Sequence, residues 1–588
     1  MSDESKPFDA RALLGFALLI GLVLLLPVYW EWIGFKKPEP TVPVVTDSTF
    51  AVTPADTVHR PAPGPQKLAA TPAPVPGDTA GGPFVFDSKW VEKYIHVETD
   101  VYDAIFSTRG ARIVRLVLKN FRYNDEPRHN QPIIITDTTS DAGLRFHSVR
   151  DLFDWSTAPF TTDQADMKLA GGDSTVLRFT ARSSKGNDVV IAYTIHGKRY
   201  DFDVNVSVPE PWTDGLENEY YFGWDGGLWP TEPDPSEDNS YFSADALMGK
   251  DFEKVSSHDP EAPRKNLSGV THWAAVRTKY FVCATVPRSR DAQGFLAVTA
   301  ERPLTFKGKR IEVKNFSSAV RMDLPAGTPL NDRFTVYIGP VEYGLLKSYG
   351  IGLEEMVDLG WRWLIRPIAL VILWLFTAMH AVIPNYGVSL IIFALIIKVL
   401  FHPLTKKSTM SMRQMQALQP RMEKLRERHK GDPQKLNVEM MKLYKEAKIN
   451  PLSGCLTLLP QMPIFFSLYP VFRSTIELRG AHFVGWISDL SQKDPYYVLP
   501  IIMVVSFFLQ QKLSTKDPKQ KMLTYILPLV FGFFFKDMPA GLTLYWTVFN
   551  LFSVIEMTWL IGHPPAAGAD GEVGSGAILK TTPAKSKG

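Results

Sequence analysis

The 588-residue chain reads as a membrane α-helical bundle joined to an all-β sandwich domain. Three observations lead there. One long apolar run lies near the N-terminus and several more lie beyond Gly344. Between them the pattern changes to short alternating stretches rich in β-branched and aromatic residues. The connections between the late apolar runs carry clustered Lys and Arg, the mark of loops that stay on the cytoplasmic side.

Residues 1–33 hold the first run. Ala12 to Trp30 is uncharged over 19 residues, long enough for roughly 30 Å of hydrocarbon. No A-x-A cleavage site follows it, and Tyr29, Trp30 and Trp32 form an interfacial belt instead, so it reads as an uncleaved anchor. Residues 34–83 are rich in Pro, Thr, Ala and Val, a composition that favours extended polyproline conformations and buries no core; this is a tether.

From 84 to 343 short runs such as Ile113–Leu118, Val189–Tyr193 and Phe202–Val206 are punctuated by Gly, Asp and Pro, the signature of a sandwich of many strands. Chemistry is sparse here. HExxH, GxSxG and P-loop motifs are lacking. Glu232, Asp234, Glu237 and Asp238 form an acidic run without the central Gly of an EF-hand, and read as a solvated loop rather than a calcium site. Trp224 to Trp229, with Gly226-Gly227, reads as a buried turn rather than a sugar-stacking platform. Cys283 and Cys455 fall in different compartments on this reading, so no disulfide joins them.

Charge decides which of the seven apolar runs cross the bilayer. The segment 404–448 has 12 Lys and Arg against 5 Asp and Glu, Lys512 to Lys521 has four lysines and one aspartate, and the tail carries Lys580, Lys585 and Lys587; all three are cytoplasmic by the positive-inside rule. With the β domain outside, a single crossing must separate Tyr343 from Leu404. That crossing is 386–403, which leaves 345–383 as an amphipathic helix on the outer interface and six spans in all. The expected domains are then the anchor 1–33, the tether 34–83, the β domain 84–343, the interfacial helix 344–383, a helical core 384–562 and a cytoplasmic tail 563–588.

Within the core, 404–448 is expected to be an antiparallel helical hairpin. Met415, Leu418, Met422 and Leu425 form one apolar seam, Leu436, Met440, Leu443 and Ala447 another, and Lys430-Gly431-Asp432-Pro433 is the turn between them. Six of the 17 methionines lie in it, and exposed methionines make adaptable binding surfaces. Its basic residues Lys406, Lys407, Arg413, Arg421, Lys424, Arg426, Arg428 and Lys430 either rest on anionic lipid or dock an acidic or RNA-rich partner such as a ribosome. The span 386–403 holds Lys398, and no Asp or Glu lies within it. An intramembrane lysine costs about 2.5–3.5 kcal/mol on insertion scales, so this charge requires water, a headgroup or a ligand, unless it snorkels to the inner interface.

The runs Asn450-Pro451-Leu452-Ser453-Gly454-Cys455 and Pro460-Gln461-Met462-Pro463-Ile464-Phe465 resemble the YidC membrane-protein insertase family. So do His402-Pro403-Leu404-Thr405, Asp494-Pro495-Tyr496-Tyr497 and Pro539-Ala540-Gly541-Leu542 followed by Leu544-Tyr545-Trp546; Tyr337-Ile338-Gly339-Pro340 with Tyr343 resembles the end of the large periplasmic domain of Gram-negative members. The resemblance implies a five-helix core around a hydrophilic groove that opens to cytoplasm and lipid and is closed outward. It implies a periplasmic super-sandwich without established chemistry, and no enzymatic activity or cofactor. Lys398 stands where many members have arginine, which keeps the charge and weakens the case for bidentate carboxylate binding. Thr457, Gln461, Tyr545, Trp546 and Asn550 are expected near the groove, with helix–helix hydrogen bonding as the equal alternative for each. Implied partners are nascent membrane proteins, the lipid bilayer, the ribosome, a targeting factor and the Sec translocon, with no direct DNA binding. The implied location is the bacterial inner membrane, with both termini cytoplasmic. Two other classes stand beside this reading. A secondary transporter of an anionic solute predicts internal repeats, which the sequence lacks. A membrane-anchored carbohydrate-active protein predicts a carboxylate or histidine site in 84–343.

Overall fold

The computed structural model describes residues 84–562, except 86, 88, 126–127, 138–141, 149–154, 184–185, 209–218, 257–263, 307, 324–328, 448–460 and 515–520. The expected anchor, tether and C-terminal tail lie outside the described residues. The chain divides into two compact units, one ending at Asp358 and the other beginning at Leu359, with Ser474–Glu477 grouped with the first.

The first unit is a two-sheet β structure. Strands β1 (Tyr94–Glu98), β2 (Tyr102–Ser107), β3 (Arg112–Arg122), β4 (Pro132–Thr136), β5 (Gly143–Ser148), β6 (Met167–Lys168), β7 (Ser174–Arg182), β8 (Asp188–His196), β9 (Asp201–Val208) and β10 (Glu219–Asp225) are followed by β11 (Ser243–Met248), β12 (Asp251–Ser256), β13 (Arg264–Arg277), β14 (Phe281–Pro287), β15 (Ala292–Phe306), β16 (Lys309–Asp323) and β17 (Leu330–Pro340). Among the described residues, one sheet has five strands in the order β4-β3-β2-β1-β6; the other has twelve, running β5-β10-β16-β15-β13-β14-β17-β9-β8-β7, with β11 and β12 branching from β13. The three alternating stretches singled out in the sequence fall in β3, β8 and β9. In β9 Phe202, Val204, Val206 and Val208 are buried while Asn205 is exposed, the period-2 pattern of a strand with one wet face. The sheets share a core that includes Val97, Leu116, Phe179 and Phe295. Phe106 meets Tyr193 edge-on at 5.0 Å, and the Tyr193 hydroxyl donates to the Ala111 carbonyl at 2.6 Å. Cys283 is a free thiol in this core.

The 232–238 run differs from the expected solvated loop. Asp234 is exposed, but Glu232 and Asp238 are buried. Asp238 accepts from the backbone N–H groups of Thr231 at 2.7 Å, Glu232 at 3.3 Å and Lys279 at 3.1 Å. Burial, and then the charge of Glu232, push its carboxyl above the usual range. Those three amides are what keep an acid there; composition alone did not reveal them. Trp224 is buried as expected, its indole N–H donating to the Gly227 carbonyl at 2.8 Å across a turn in which Gly226 and Gly227 both have positive φ.

In the region expected to be one helix over 345–383, the chain breaks twice. It forms α1 (Tyr343–Ser348), a 3-10 turn at Leu353–Met356 and α2 (Ile365–His380). Gly350, Gly352 and Gly360 take positive φ between them and interrupt the periodic pattern. In α2 the face Ile365, Ala369, Ile372, Leu373 and Phe376 is buried, yet Val371 and Trp374 are 62% and 69% exposed on the other side. α2 is therefore apolar on both faces, the pattern of a helix enclosed by protein or lipid.

The second unit continues with α3 (Tyr386–Ala417), α4 (Gln419–Arg428), α5 (Pro433–Glu446), α6 (Gln461–Ser474), α7 (Val498–Ser514), α8 (Lys521–Phe535) and α9 (Ala540–Gly562). Within α3 and α9, Tyr386–Pro403 and Ala540–Thr558 are long and apolar enough to cross a membrane; Ile365–His380, Val498–Leu513 and Thr524–Phe535 are shorter apolar helices. The expected boundary at 404 is absent: α3 runs through Pro403 into the first arm of the hairpin without a break. α9 packs against α3 and α7, and α8 against α7. Gly541 sits so close to the Phe472 ring that a Cβ there would lie 2.3 Å from it, which fixes the approach of α9 to α6. On the loop before α7, Asp494 accepts from Trp486 Nε1 at 3.1 Å and from the N–H groups of Tyr496 at 3.0 Å and Leu499 at 2.7 Å, so the carboxylate organises the helix start.

Asp238→Ala leaves three buried amides without an acceptor and is expected to destabilise the β domain by about 2–4 kcal/mol; Asp238→Asn, which keeps one acceptor oxygen, costs less. Thermal unfolding of the full-length protein in detergent, followed by its β-sheet circular dichroism, checks the order.

Candidate functional site

The helix period sets the site. On α3, Lys398, His402 and Thr405 recur at i, i+4 and i+7 and share one face; on α9, Phe549, Ser553 and Glu556 do the same. The packing of α3 on α9 brings the two faces together. Lys398 Nζ lies 2.7 Å from Glu556 Oε2 and donates to Ser553 Oγ at 2.8 Å, while the Phe549 ring centre is 4.9 Å away. A carboxylate, a hydroxyl and a ring face thereby surround the ammonium. The second carboxylate oxygen, Oε1, accepts from His402 Nδ1 at 2.8 Å and stands 3.4 Å from Thr405 Oγ1. Thr405 also donates back to the Phe401 and His402 carbonyls at 3.1 Å.

The lysine and glutamate side chains are 11% and 12% exposed and His402 is 44% exposed, so the pair is enclosed and the imidazole edge is its open side. Removing one member of such a pair costs about 3–5 kcal/mol, because the other charge is stranded.

This corrects the reading of Lys398 as a cation without a protein anion. Its partner comes from a helix far along the chain, outside the span 386–403 that holds the lysine. One signal was available: Glu556 is the only acid in the otherwise apolar run Met538–Gly562, and a lone acid and a lone base in two spans of one bundle are a natural pair.

The other expected groove residues do not join this cluster. Gln461 Nε2 donates to the buried Tyr545 hydroxyl at 2.7 Å, tying α6 to α9. Asn550 Nδ2 is 3.5 Å from Ser506 Oγ on α7. Trp546 sits among Phe465 at 5.3 Å, Phe535 at 5.7 Å and Phe531 at 6.1 Å. Gln461 and Asn550 thus make contacts between helices. Thr457 lies outside the described residues.

The hairpin forms from the end of α3 and α4 as one arm, with a break at Leu418, and α5 as the other. Asp432 accepts from the Lys435 N–H at 2.9 Å as N-cap, and Pro433 occupies the first turn. Met422 and Leu443 are buried in the seam, and the Tyr444 hydroxyl reaches Met422 Sδ at 3.8 Å. Met410, Met415, Met440 and Met441 are half-buried, so the methionines serve the seam more than the open surface. Lys406, Arg421, Lys424, Arg428 and Lys430 are exposed and Arg426 is half-buried; the side chains of Lys407 and Arg413 lie outside the described residues.

Comparison with known proteins agrees with this architecture. A family model described as 60Kd inner membrane protein matches residues 378–565, and one described as YidC periplasmic domain matches 94–371. The chain is 34% identical to the membrane protein insertase YidC of Chlorobaculum tepidum over 94% of each chain. It is also 34% identical to that of Prosthecochloris aestuarii, over 92% of this chain and 94% of the relative. A crystal structure described as an active YidC insertase with its first transmembrane domain resolved aligns over 81% of this chain and 94% of its own, with 19% identity and a TM-score of 0.37. Two family models that together span both units, and relatives similar over nearly the whole length, lead to one conclusion: the chain belongs to the YidC family of membrane protein insertases, proteins of the inner membrane with a periplasmic β-sandwich domain.

Proposed function

We propose that this insertase moves hydrophobic segments of nascent proteins from the cytoplasm into the inner membrane through a hydrophilic groove beside α3 and α9, alone or with the Sec translocon. The observation that carries the reading is the Lys398–Glu556 pair, two full charges held between helices that are otherwise apolar. Such a pair keeps a polar, hydratable spot inside the bilayer. A substrate's hydrophilic tail partitions there at lower desolvation cost than in hydrocarbon, and Lys398 favours acidic tails. The apolar segment then leaves sideways into lipid, driven by burial of its surface. Gln461, Tyr545, Trp546, Asn550 and Thr457 line or support that path. The process draws on partitioning.

The architecture we propose around the groove has six spans, five of them in the core and the sixth the anchor in 1–33. The tether is 34–83 and the periplasmic domain 84–343. α2, roughly 24 Å long at 1.5 Å per residue, lies in the outer interface within 344–383, and both termini are cytoplasmic. The exposed basic residues of the hairpin 404–448 dock the ribosome or a targeting factor.

Three measurements follow from this reading. In proteoliposomes, with insertion read by protease protection, Lys398→Arg is expected to insert substrates about as well as the parent. Lys398→Gln lowers insertion of acidic-tailed substrates roughly threefold to tenfold more than that of neutral-tailed ones; equal losses for both tails reject the electrostatic role. Replacing Arg421, Lys424, Arg428 and Lys430 by Glu weakens co-sedimentation with ribosomes by about tenfold at low salt, and the difference shrinks as salt rises; unchanged co-sedimentation at low salt removes the docking role. With native cysteines replaced, a Ser408→Cys variant is labelled by a membrane-impermeant thiol reagent only after the membrane is opened, and labelling of intact cells overturns the six-span arrangement.

A further inference from the structure

The arrangement around Lys398 is more specific than a polar spot. The ammonium has close partners on several sides: Glu556 at 2.7 Å, Ser553 at 2.8 Å and the Phe549 ring at 4.9 Å. With the side chain only 11% exposed, a substrate carboxylate gains close contact with Lys398 by replacing one of these groups. Ser553 is short and is tied to its own helix by donating to the Phe549 carbonyl at 2.8 Å. Glu556 is the longer, exchangeable partner. It also carries a second attachment one turn along α3, where Oε1 accepts from His402 Nδ1 at 2.8 Å and stands 3.4 Å from Thr405 Oγ1. A carboxylate that lets go of Lys398 through Oε2 thus stays held through Oε1, and the half-exposed His402 edge marks the side from which a competitor arrives.

We propose that Glu556 is an internal carboxylate occupying the place of the substrate's, and so a specificity-determining residue of the insertase: acidic segments enter by exchanging with Glu556 on Lys398, while His402 retains the displaced side chain. This rests on the reading of Lys398 as the group that meets acidic tails. It has a consequence that a bare cation lacks. The resting site is paired and nearly neutral, so it discriminates only moderately against neutral and basic tails, and the strength of the Lys398–Glu556 contact sets how strongly acid is preferred.

The test uses the full-length protein in proteoliposomes and one single-span substrate whose tail carries two aspartates, no charge or two lysines. Glu556→Gln preserves shape and hydrogen bonding but removes the competing charge. The acidic-to-neutral insertion ratio is expected to rise roughly threefold to tenfold over the wild type, and the basic-to-neutral ratio to fall. Glu556→Asp keeps the charge and shortens its reach, and gives a smaller rise in the same direction, which keeps the test open if the amide variant folds poorly. His402→Gln leaves Lys398 paired but weakens the second attachment, so displacement becomes harder and the acidic-to-neutral ratio falls. A purely structural pair lowers all three tails together along with the thermal midpoint. That outcome, or an unchanged ratio in both Glu556 variants, overturns the exchange while leaving the groove reading intact. Wild-type proportions for all three tails in Lys398→Gln instead remove the Lys398 reading itself.

Discussion

A charge inside a membrane helix has to be answered, and the answer organises this helical unit. Lys398 on α3 is met by Glu556 on α9 at 2.7 Å. In a low-dielectric setting neither group is tolerable alone, so the contact fixes both the rotation of the two helices and their register. The i, i+4, i+7 faces that carry Lys398, His402 and Thr405 against Phe549, Ser553 and Glu556 follow from that single constraint. Pro403 lies within the same turns of α3. Its missing N–H removes one helical hydrogen bond in those turns.

Around this contact the bundle is closed by small polar links and by close packing. Gln461 and Tyr545 join α6 to α9, and Ser467 on α6 donates to the Ile365 carbonyl of α2 at 3.2 Å. Phe376, Phe393 and Tyr545 form a chain of rings with centroids 5.1 Å and 5.9 Å apart. These links leave the outer faces of α2 and α7 apolar, with Val371, Trp374, Ile501 and Val505 exposed for lipid. A helical insertase needs both properties at once: an apolar exterior that partitions into the bilayer and an interior polar enough to receive a hydrophilic segment.

The β domain solves the same problem of buried polarity with different groups. Asp332 on β17 accepts from Arg290 Nε at 3.0 Å and Nη2 at 2.7 Å and from Ser289 Oγ at 2.7 Å, and the Tyr220 hydroxyl also donates to it. Burial pushes its carboxyl up, but these donors outweigh that and hold it below the usual range. Its contribution to stability is therefore present above the unfolded value near roughly 3.9 and is lost as pH falls through the lower folded one. Asp238 goes the other way, because burial and then the nearby charge of Glu232 outweigh the backbone amides that hold it.

Periodicity and charge determined a good deal without coordinates. The alternating stretches in β3, β8 and β9, the helix of 386–403 and the two-armed hairpin with its Asp432-Pro433 start were all legible, because each is a local pattern set by the 2.0 or 3.6 residue repeat and by capping chemistry. Motifs such as Pro539-Ala540-Gly541-Leu542 were enough to point to the family. Tertiary structure alone decided what local pattern does not encode. The 345–383 region is broken because three glycines adopt positive φ, a backbone choice that composition permits but does not require. Asp238 is buried because three distant or irregular amides converge on it. Lys398 was visible as an anomaly within its own helix, but the carboxylate that answers it lies 158 residues later in sequence (556 − 398), and only the packing of α9 against α3 puts the two charges within hydrogen-bond reach.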